Sequence, residues 1–284
     1  MKFTKMNGAG NDFIILDAIK ENIDIEQNSH FASTLCTRHL SIGADGMMVV
    51  VPSDKADFRM MFYNSDGTVG EMCGNGARCI CRYGYETGLS GEKQVIETTA
   101  GIVTGERIDK INYRIRLNDA TTVKIEDKIE IDGKEYVVSY VELGNPGLPH
   151  GVVSYAQLRE QIGGSGARLI DLPGEEMETL KKLAIKMRYH SYFPKGANIN
   201  FYEVIGDNEI DLLTYERGVE DYTFACGTGT GSTVLVLNKL GLVPEKGSKI
   251  NEKGGVLYVD LDDGIYLTGP TNIVAEGTVR DETL

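Results

Sequence analysis

Hydrophobic and polar residues alternate over most of the chain, in short runs typical of β-strands, and only four stretches have a helical period. The predicted strand segments are residues 2–18 with a Gly/Asn loop, 44–52, 57–64, 93–147 with tight turns, 197–205, 209–218, and 255–279 with an Asp-Asp-Gly hairpin turn. The predicted helices are residues 28–40, 74 to about 84–88, 174–190, and 227–242. The chain is therefore predicted to have an α/β (α+β) fold.

The predicted helices differ in how much of their circumference is covered by apolar residues. In the first, Phe31, Ala32, Leu35, Cys36 and Leu40 share one face, which makes Cys36 a core residue. In the third, the apolar stripe consists of Met177, Leu180, Leu183, Ala184 and Met187. The second and fourth are apolar on most sides, so we expect both to be buried nearly all round.

The two halves of the chain have a similar order of elements. Tyr63 lies 10 residues before Cys73, and Tyr215 lies 11 residues before Cys226; each cysteine then opens one of the two buried helices. This diverged repeat predicts two similar domains facing each other, with a ligand site in the cleft between them.

Composition excludes several classes of partner. The 284 residues carry a formal net charge of −13, which argues against nucleic acid and anionic membranes. No apolar run approaches the roughly 18–20 residues of a membrane span, and no signal peptide is evident at the N-terminus. Five scattered cysteines without a Cys-x-x-Cys pair indicate no disulfide framework and no zinc site, which favours a reducing cytoplasm.

The chemistry is concentrated in Cys73-Gly74-Asn75-Gly76 and Cys226-Gly227-Thr228-Gly229. The first turn of a helix offers unpaired amides and a positive dipole end, which suit a carboxylate and lower the pKa of a thiol. Glycine lets a ligand approach those amides. Two such units facing each other would invert a carbon that bears a carboxylate, because one thiolate removes the α-proton while the opposite thiol delivers another.

Other interpretations of these motifs remain. Either cysteine alone could be a small core residue, and core packing is the default for Cys79 and Cys81. The Gly-x-Gly runs also suggest phosphate loops, but neither completes a nucleotide-binding motif.

The chain resembles diaminopimelate epimerases. The similar segments are KMNGAGNDFI, RHLSIGADG, FYNSDGTVGEMCGNGARC, NINF, YERG and ACGTGTG. The resemblance implies a pyridoxal-independent epimerase without cofactor or metal, in which Cys73 and Cys226 are the two bases. It also implies that the amides of Gly74-Asn75 and Gly227-Thr228 hold the reacting carboxylate.

The resemblance implies further properties of the fold and site. The N-terminal domain would comprise residues 1–118 plus 272–284 and the C-terminal domain residues 119–271, each a twisted, mostly antiparallel or mixed sheet around a central helix. The protein would be a cytoplasmic homodimer of lysine and peptidoglycan biosynthesis. The implied further substrate contacts are Asn11, Asn64, Asn145, Asn198, Glu216 and Arg217, and Glu216 and His150 would tune the cysteine pKa values.

Some of these residues could instead have a purely structural role. Glu216 could be a surface salt-bridge partner, and Asn11 could be a structural residue of its glycine loop. The family's Gly-Asn-Pro-His is interrupted here as residues 144–150, which displaces His150 by three residues. Gly46 stands where many relatives carry a polar side chain, and the second motif continues as Thr-Gly-Ser-Thr instead of small alanines.

Two rival functions remain at this level. One is a related cofactor-independent racemase with another amino-acid substrate, because the departures affect the distal pocket. The other is a redox protein that uses Cys73 and Cys226 as a reversible disulfide.

The predicted cysteine pair can be tested by oxidation. We expect a mild oxidant to join Cys73 to Cys226 and abolish activity, and substrate to protect the thiols. Intact mass and peptide mapping with and without substrate check this. A cross-link between other cysteines, or none, would contradict the facing arrangement.

Overall fold

The structure is a computed structural model that describes residues 1–70, 73–144 and 147–280. It divides into two compact units. Unit 1 consists of Met1–Arg116 together with the chain from Thr268 onward, and unit 2 is Leu117–Leu267.

Unit 1 is a mixed sheet with two helices. Its helices are α1 (Asn28–Leu35) and α2 (Gly74–Glu86), and its strands are β1 (Lys2–Gly8), β2 (Asn11–Asp17), β3 (Gly46–Val51), β4 (Phe58–Asn64), β5 (Val69–Gly70), β6 (Lys93–Thr98), β7 (Gly101–Arg107), β8 (Asn112–Arg116) and β18 (Asn272–Thr278). The pairing order is β18-β1-β2-β3-β4-β6-β7-β8, with β5 beside the end of β4.

Unit 2 has the same kind of sheet. Its elements are β9 (Ala120–Ile131), β10 (Lys134–Leu143), β11 (Leu148–Ser154), α3 (Tyr155–Leu158), α4 (Gly174–Arg188), β12 (Asn198–Gly206), β13 (Glu209–Glu216), β14 (Asp221–Tyr222), α5 (Gly227–Lys239), β15 (Ser248–Glu252) and β16 (Gly255–Leu261). The strand β17 (Ile265–Pro270) begins here and ends in unit 1. The pairing order is β9-β10-β11-β12-β13-β15-β16, with β14 beside the end of β13.

The two units repeat one sequence of strand pairings. From β1 to β7 the successive pairs are antiparallel, parallel, antiparallel, parallel and antiparallel, and the series from β10 to β16 is the same. Each parallel pair needs a crossover, which a helix supplies. The second crossover is α2 in unit 1 and α5 in unit 2, so the helices that follow Cys73 and Cys226 hold equivalent places.

Both of these helices are buried on nearly all sides, as their composition predicts. Every residue of α2 from Gly74 to Gly84 is buried, and α5 is buried at nine of its 13 positions. The helix α2 packs against β1, β2, β7 and β8, and α5 packs against β9, β10, β11, β12 and β16. The predicted α/β fold, with a sheet around a central helix in each unit, is confirmed.

The amphipathic helix predicted for residues 174–190 is confirmed as α4. Four residues of its predicted stripe, Leu180, Leu183, Ala184 and Met187, are buried in one cluster with Phe201 and Leu213 of the sheet. Met177 is partly buried beside them. Cys36, Cys79 and Cys81 are all buried, so their predicted place in the core is also confirmed.

The prediction of a helix over residues 28–40 is wrong at its C-terminal end. The helix α1 ends at Leu35, and the carbonyls of Leu35 and Cys36 accept hydrogen bonds from the amides of Gly43 and Ala44 instead of continuing the helix. His39 has a φ of 71°, which a helix does not allow. Leu40, placed by its spacing on the apolar face, is 86% exposed.

This difference predicts opposite responses at two leucines. Leu35→Ala removes a fully buried side chain and should lower the free energy of unfolding by about 2–5 kcal/mol. The matched control Leu40→Ala removes an exposed one and should change it by no more than about 0.5 kcal/mol. Urea denaturation measures both, and equal losses would contradict the observed end of α1.

Candidate active site

Each motif cysteine is the residue immediately before a buried helix. Cys73 precedes α2 and Cys226 precedes α5, both in extended conformation, with φ and ψ of −121° and 121° and of −126° and 100°. Their carbonyls already accept the first helical hydrogen bonds, from Ala77 and Thr230, each 2.8 Å long. The first-turn amides that follow each cysteine have no acceptor within the helix, which makes each helix start suitable for an anion.

The second glycine of each motif has a packing role that differs from the expected ligand approach. A Cβ on Gly229 would lie 2.3 Å from Asn200 Oδ1, and a Cβ on the equivalent Gly76 would lie 2.5 Å from Met48 Cε. Both contacts are far shorter than real Cβ contacts. These glycines therefore let the first turn of each helix lie directly on its sheet.

In unit 1, a side-chain amide hydrogen bond connects two of the predicted site residues, Asn11 and Asn75. Asn75 Nδ2 donates to Asn11 Oδ1 at 2.6 Å, and Asn11 Nδ2 donates to Asp45 Oδ2 at 3.1 Å. Fully buried Arg78 donates to Asn75 Oδ1 at 2.7 Å. Asn11 is thus oriented by the first turn of α2, and it does not have the left-handed conformation considered for a structural loop residue.

Asp45 is itself held by a charged cluster. Arg38 donates to Asp45 Oδ1 at 2.9 Å and to Asp12 Oδ1 at 2.6 Å, and Lys5 pairs with Asp12 at 2.7 Å. Hydrogen bonds and charges from Arg38 and Lys5 outweigh burial and hold the pKa of the Asp12 carboxyl below its ordinary value. Asp45, held in place by Arg38, therefore presents an acceptor oxygen to Asn11.

Asn64 and Gly46 lie opposite each other across β3 and β4. Asn64 is exposed, and its Nδ2 donates to Thr68 Oγ1 at 2.9 Å within the following turn. A Cβ on Gly46 would lie 2.6 Å from the Phe62 ring and 2.8 Å from the Tyr63 carbonyl oxygen. The ring of Phe62 thus fills the space next to Gly46.

In unit 2, Asn198 joins Cys226 to Arg217. Asn198 Nδ2 lies 3.6 Å from Cys226 Sγ, and Asn198 Oδ1 accepts the backbone N–H of Arg217 at 2.8 Å. Thr228 Oγ1 is also 3.6 Å from the sulfur. The Arg217 side chain donates to the Lys195 carbonyl at 3.3 Å. Four predicted site residues of unit 2 are therefore brought together at the start of α5.

Burial opposes the thiolate at Cys226. Desolvation raises the pKa of this thiol well above its ordinary value, and the charge of Glu216 raises it further. Hydrogen bonds from Thr228 and from the Gly229 amide act in the opposite direction but are smaller effects. The sequence led us to expect a lowered pKa at a helix start; at Cys226 the loss of solvent outweighs the helix terminus.

His150 lies in the core beneath α5 and is fully buried. Asn200 Nδ2 is 3.3 Å from His150 Nδ1 and 3.1 Å from the Gly151 carbonyl oxygen, and Thr214 donates to Asn200 Oδ1 at 3.0 Å. Because an amide N–H can only donate, Nδ1 is the acceptor and the imidazole proton is on Nε2. Burial, followed by the charge of Arg217, lowers the pKa of His150 to about 3, so the ring is neutral.

The predicted contact Asn145 lies outside the described residues. Sequence reasoning missed three polar residues of unit 2: Asn200, Thr230 and Glu252. Asn200 follows Asn198 by two residues and so shares its face of β12, a signal that NINF contained. Glu252 ends β15, a strand that the hydrophobic pattern did not predict.

The described residues contain neither a metal-binding cluster nor a membrane-spanning helix. Residues 1–70, 73–144 and 147–280 contain no group of three or more His, Cys, Asp or Glu side chains placed to hold a metal ion. No helix in these ranges has the length and hydropathy of a membrane span.

Solved structures share this fold. A probable proline racemase from Agrobacterium radiobacter aligns over 99% of this chain and 93% of its own, with a TM-score of 0.67 and 16% identity. A Bacillus anthracis phenazine biosynthesis protein of the PhzF family aligns over 99% of both chains, with a TM-score of 0.69 and 15% identity. The chain therefore shares the fold of these proteins.

Sequence comparison gives the family. The diaminopimelate epimerase model matches residues 3–120 and 164–274. The diaminopimelate epimerase of Caldanaerobacter subterraneus is 35% identical over 99% of this chain and 100% of its own length, and that of Archaeoglobus fulgidus is 37% identical over 98% and 96%. This chain belongs to the diaminopimelate epimerase family.

The neutral, buried His150 predicts a specific pH dependence of stability. Its pKa is near 6.5 in the unfolded chain and lower in the fold, so the unfolded state binds the extra proton below pH 6.5. The fold should lose about 2 kcal/mol from this residue between pH 7 and pH 5. The variant His150→Gln has no such titrating group. The difference in free energy of unfolding between wild type and this variant should therefore become smaller by about 2 kcal/mol from pH 7 to pH 5.

Urea denaturation at pH 7, 6 and 5 measures this effect. Replacing the exposed His30 by Gln is the matched control and should leave the wild-type pH profile unchanged. Parallel pH profiles for wild type and His150→Gln would show that His150 is not held neutral in the fold.

Proposed function

We propose that this protein interconverts LL- and meso-diaminopimelate without pyridoxal phosphate or a metal, using Cys73 and Cys226 as its two acid/base groups. One observation carries the proposal: the same Cys-Gly-x-Gly opens the second crossover helix of each unit, at equivalent places in the repeat. A core role for the cysteines gives no reason for this coincidence.

The reaction is a proton exchange at the α-carbon. A thiolate on one side removes the α-proton, and the thiol on the other side delivers its own proton to the opposite face, which inverts the centre and exchanges the roles of the two sulfurs. The α-carboxylate gains negative charge as the proton leaves. The first-turn amides of Gly74, Asn75, Gly227 and Thr228 are the donors that would stabilise it.

The remaining substrate groups are assigned to polar side chains of both units. Arg217 supplies a planar cation for the distal carboxylate, and Glu216 meets an ammonium group. Asn11, Asn64, Asn145 and Asn198 supply amide donors and acceptors. The amide network around Asn11 and the bond from Asn198 to the Arg217 backbone hold two of these groups ready before substrate arrives.

His150 acts on this site through structure and not through charge. With its ring neutral and its Nδ1 bonded to Asn200, it supports the strand that carries Asn198. Among the charges that act on Cys226, the carboxylate of Glu216 has the largest effect, and it raises the pKa of this thiol.

The setting of the reaction follows from the family. We infer that the enzyme works in the cytoplasm as a homodimer and supplies lysine and peptidoglycan synthesis.

The decisive measurement is incubation with LL-diaminopimelate in deuterated water. We expect deuterium at the α-carbon together with formation of the meso isomer. Deuterium incorporation into another amino acid but not into this one would favour a racemase of different specificity, for which the filled space beside Gly46 is the structural ground. No exchange with any amino acid would overturn the proposed reaction.

Cysteine variants test the two roles. Cys73→Ala and Cys226→Ala each remove the proton carrier on one face, so turnover should fall by about 10²- to 10⁴-fold. The matched control Cys36→Ala alters a buried cysteine of the α1 core and should cost about 1 kcal/mol of stability with turnover unchanged. Full turnover in either motif variant would contradict a two-base reaction.

A further inference from the structure

A buried carboxylate lies at the start of the helix that follows Cys226. Glu252 ends β15 and is only 6% exposed. Its Oε2 accepts the backbone N–H of Cys226 at 3.1 Å, and its Oε1 accepts the Thr230 hydroxyl. The carboxylate thus sits at the start of α5, against the backbone of the cysteine itself.

A buried carboxylate costs free energy unless hydrogen bonds or opposite charge compensate it. Here the positive end of α5, the Cys226 amide and the Thr230 hydroxyl provide that compensation. The compensation is mutual, because a negative charge at this place reduces the positive potential that α5 would otherwise offer to the Cys226 sulfur.

The repeat identifies the position equivalent to Glu252 in unit 1. Ile250 pairs with Ile210 of β13 as Ile96 pairs with Phe58 of β4, so the residues two positions further on, Glu252 and Thr98, correspond. Both are the last residue of their strand before the next hairpin, opposite Gly255 and Gly101 respectively. The equivalent of the charged Glu252 is therefore a neutral threonine.

Within the part of the chain that the structure describes, the Thr98 hydroxyl bonds to its own turn. Its hydroxyl donates to the Gly101 carbonyl at 2.8 Å and accepts from the Ala100 amide at 3.2 Å, both within its own turn. The two helix starts, equivalent in backbone, thus differ in the charge that the sheet places beside them.

The charges around Cys226 come from several elements of unit 2. Glu216 approaches from β13 and Glu252 from β15; both charges disfavour the thiolate, that of Glu216 more strongly than that of Glu252. His150 of β11 is neutral, and the charge of Arg217 next to β13 acts on that ring. From α5 itself, Thr228 and the Gly229 amide favour the thiolate.

We propose that Glu252 is a positioning residue that holds Cys226 as the thiol in the substrate-free enzyme, so that Cys226 begins as the proton donor and Cys73 as the base. This assignment rests on the proposed two-base function for its catalytic meaning. The protonation asymmetry itself is a property of the resting protein and needs no turnover to be measured.

The test is alkylation by iodoacetamide from pH 6.5 to 9.5, with the rate at each cysteine resolved by peptide mass. The variant Glu252→Gln keeps the shape of the side chain, an acceptor for the Cys226 amide and a donor for the Thr230 oxygen, but removes the charge. We expect the alkylation rate at Cys226 below its pKa to rise about tenfold, as an apparent pKa lowered by about one unit requires. The rate at Cys73 in the same sample should not change.

A second variant and a control variant test whether the effect depends on the charge of Glu252. Glu252→Leu also removes the charge and should accelerate Cys226 in the same direction. Glu209→Gln neutralises a carboxylate on β13 that bonds Lys249 and Asn251 instead, and it should leave both cysteines at wild-type rates. Thermal melting and circular dichroism establish that each variant is folded.

Each remaining outcome has a defined meaning. The proposal would be overturned if the pH profile of Cys226 alkylation were unchanged in the folded variants, or if Cys73 were accelerated equally. Loss of the fold in both variants would also overturn it, because Glu252 would then have a structural role only. If wild type fails to epimerise but Glu252→Gln still accelerates Cys226 selectively, the proposed function fails and the asymmetry stands. If wild type epimerises and the pH profile of Cys226 alkylation is the same in Glu252→Gln, the proposed function stands and the role of Glu252 fails.

Discussion

The structure depends on the burial of two helices along nearly their whole surface. The first-turn amides of such a helix have no acceptor within the helix and cannot be left unpaired in an apolar core. The helix must therefore begin where those amides can reach polar groups. In each unit that point falls at a cysteine. The glycine three residues on brings the turn against the sheet, so the sulfur and the first amides become one rigid group whose place is fixed by packing.

The repeated pairing series gives the two units one backbone plan, and the side chains on that plan differ at the positions that matter for chemistry. In unit 1 these positions hold Phe13, Gly46, Asn64 and Thr98; in unit 2 the equivalent positions hold His150, Asn198, Glu216 and Glu252. The second set is more polar and more acidic. The repeated backbone therefore carries different electrostatic environments in its two units.

Much of the fold and part of the site could be predicted because the relevant signals are local. Apolar residues all round residues 74–86 and 227–239 predict buried helices, and a cysteine followed by glycines predicts their starts. The end of α1 could not be predicted, since the amides of Gly43 and Ala44 fold back on its last carbonyls while the apolar spacing continues to Leu40. The contact of Glu252 with the start of α5 could not be predicted from the sequence either, because only strand pairing brings β15 there.

The sequence alone determined the type of fold, the internal repeat, the two motif cysteines and the family, because periodicity and short motifs are properties of neighbouring residues. The tertiary structure decided the electrostatics. Burial raises the pKa of Cys226 and makes His150 neutral, and long-range strand pairing brings Glu252, whose equivalent in unit 1 is Thr98, to the start of α5. Solvent exclusion and contacts between distant segments control proton affinity, and neither is encoded in the spacing of residues along the chain.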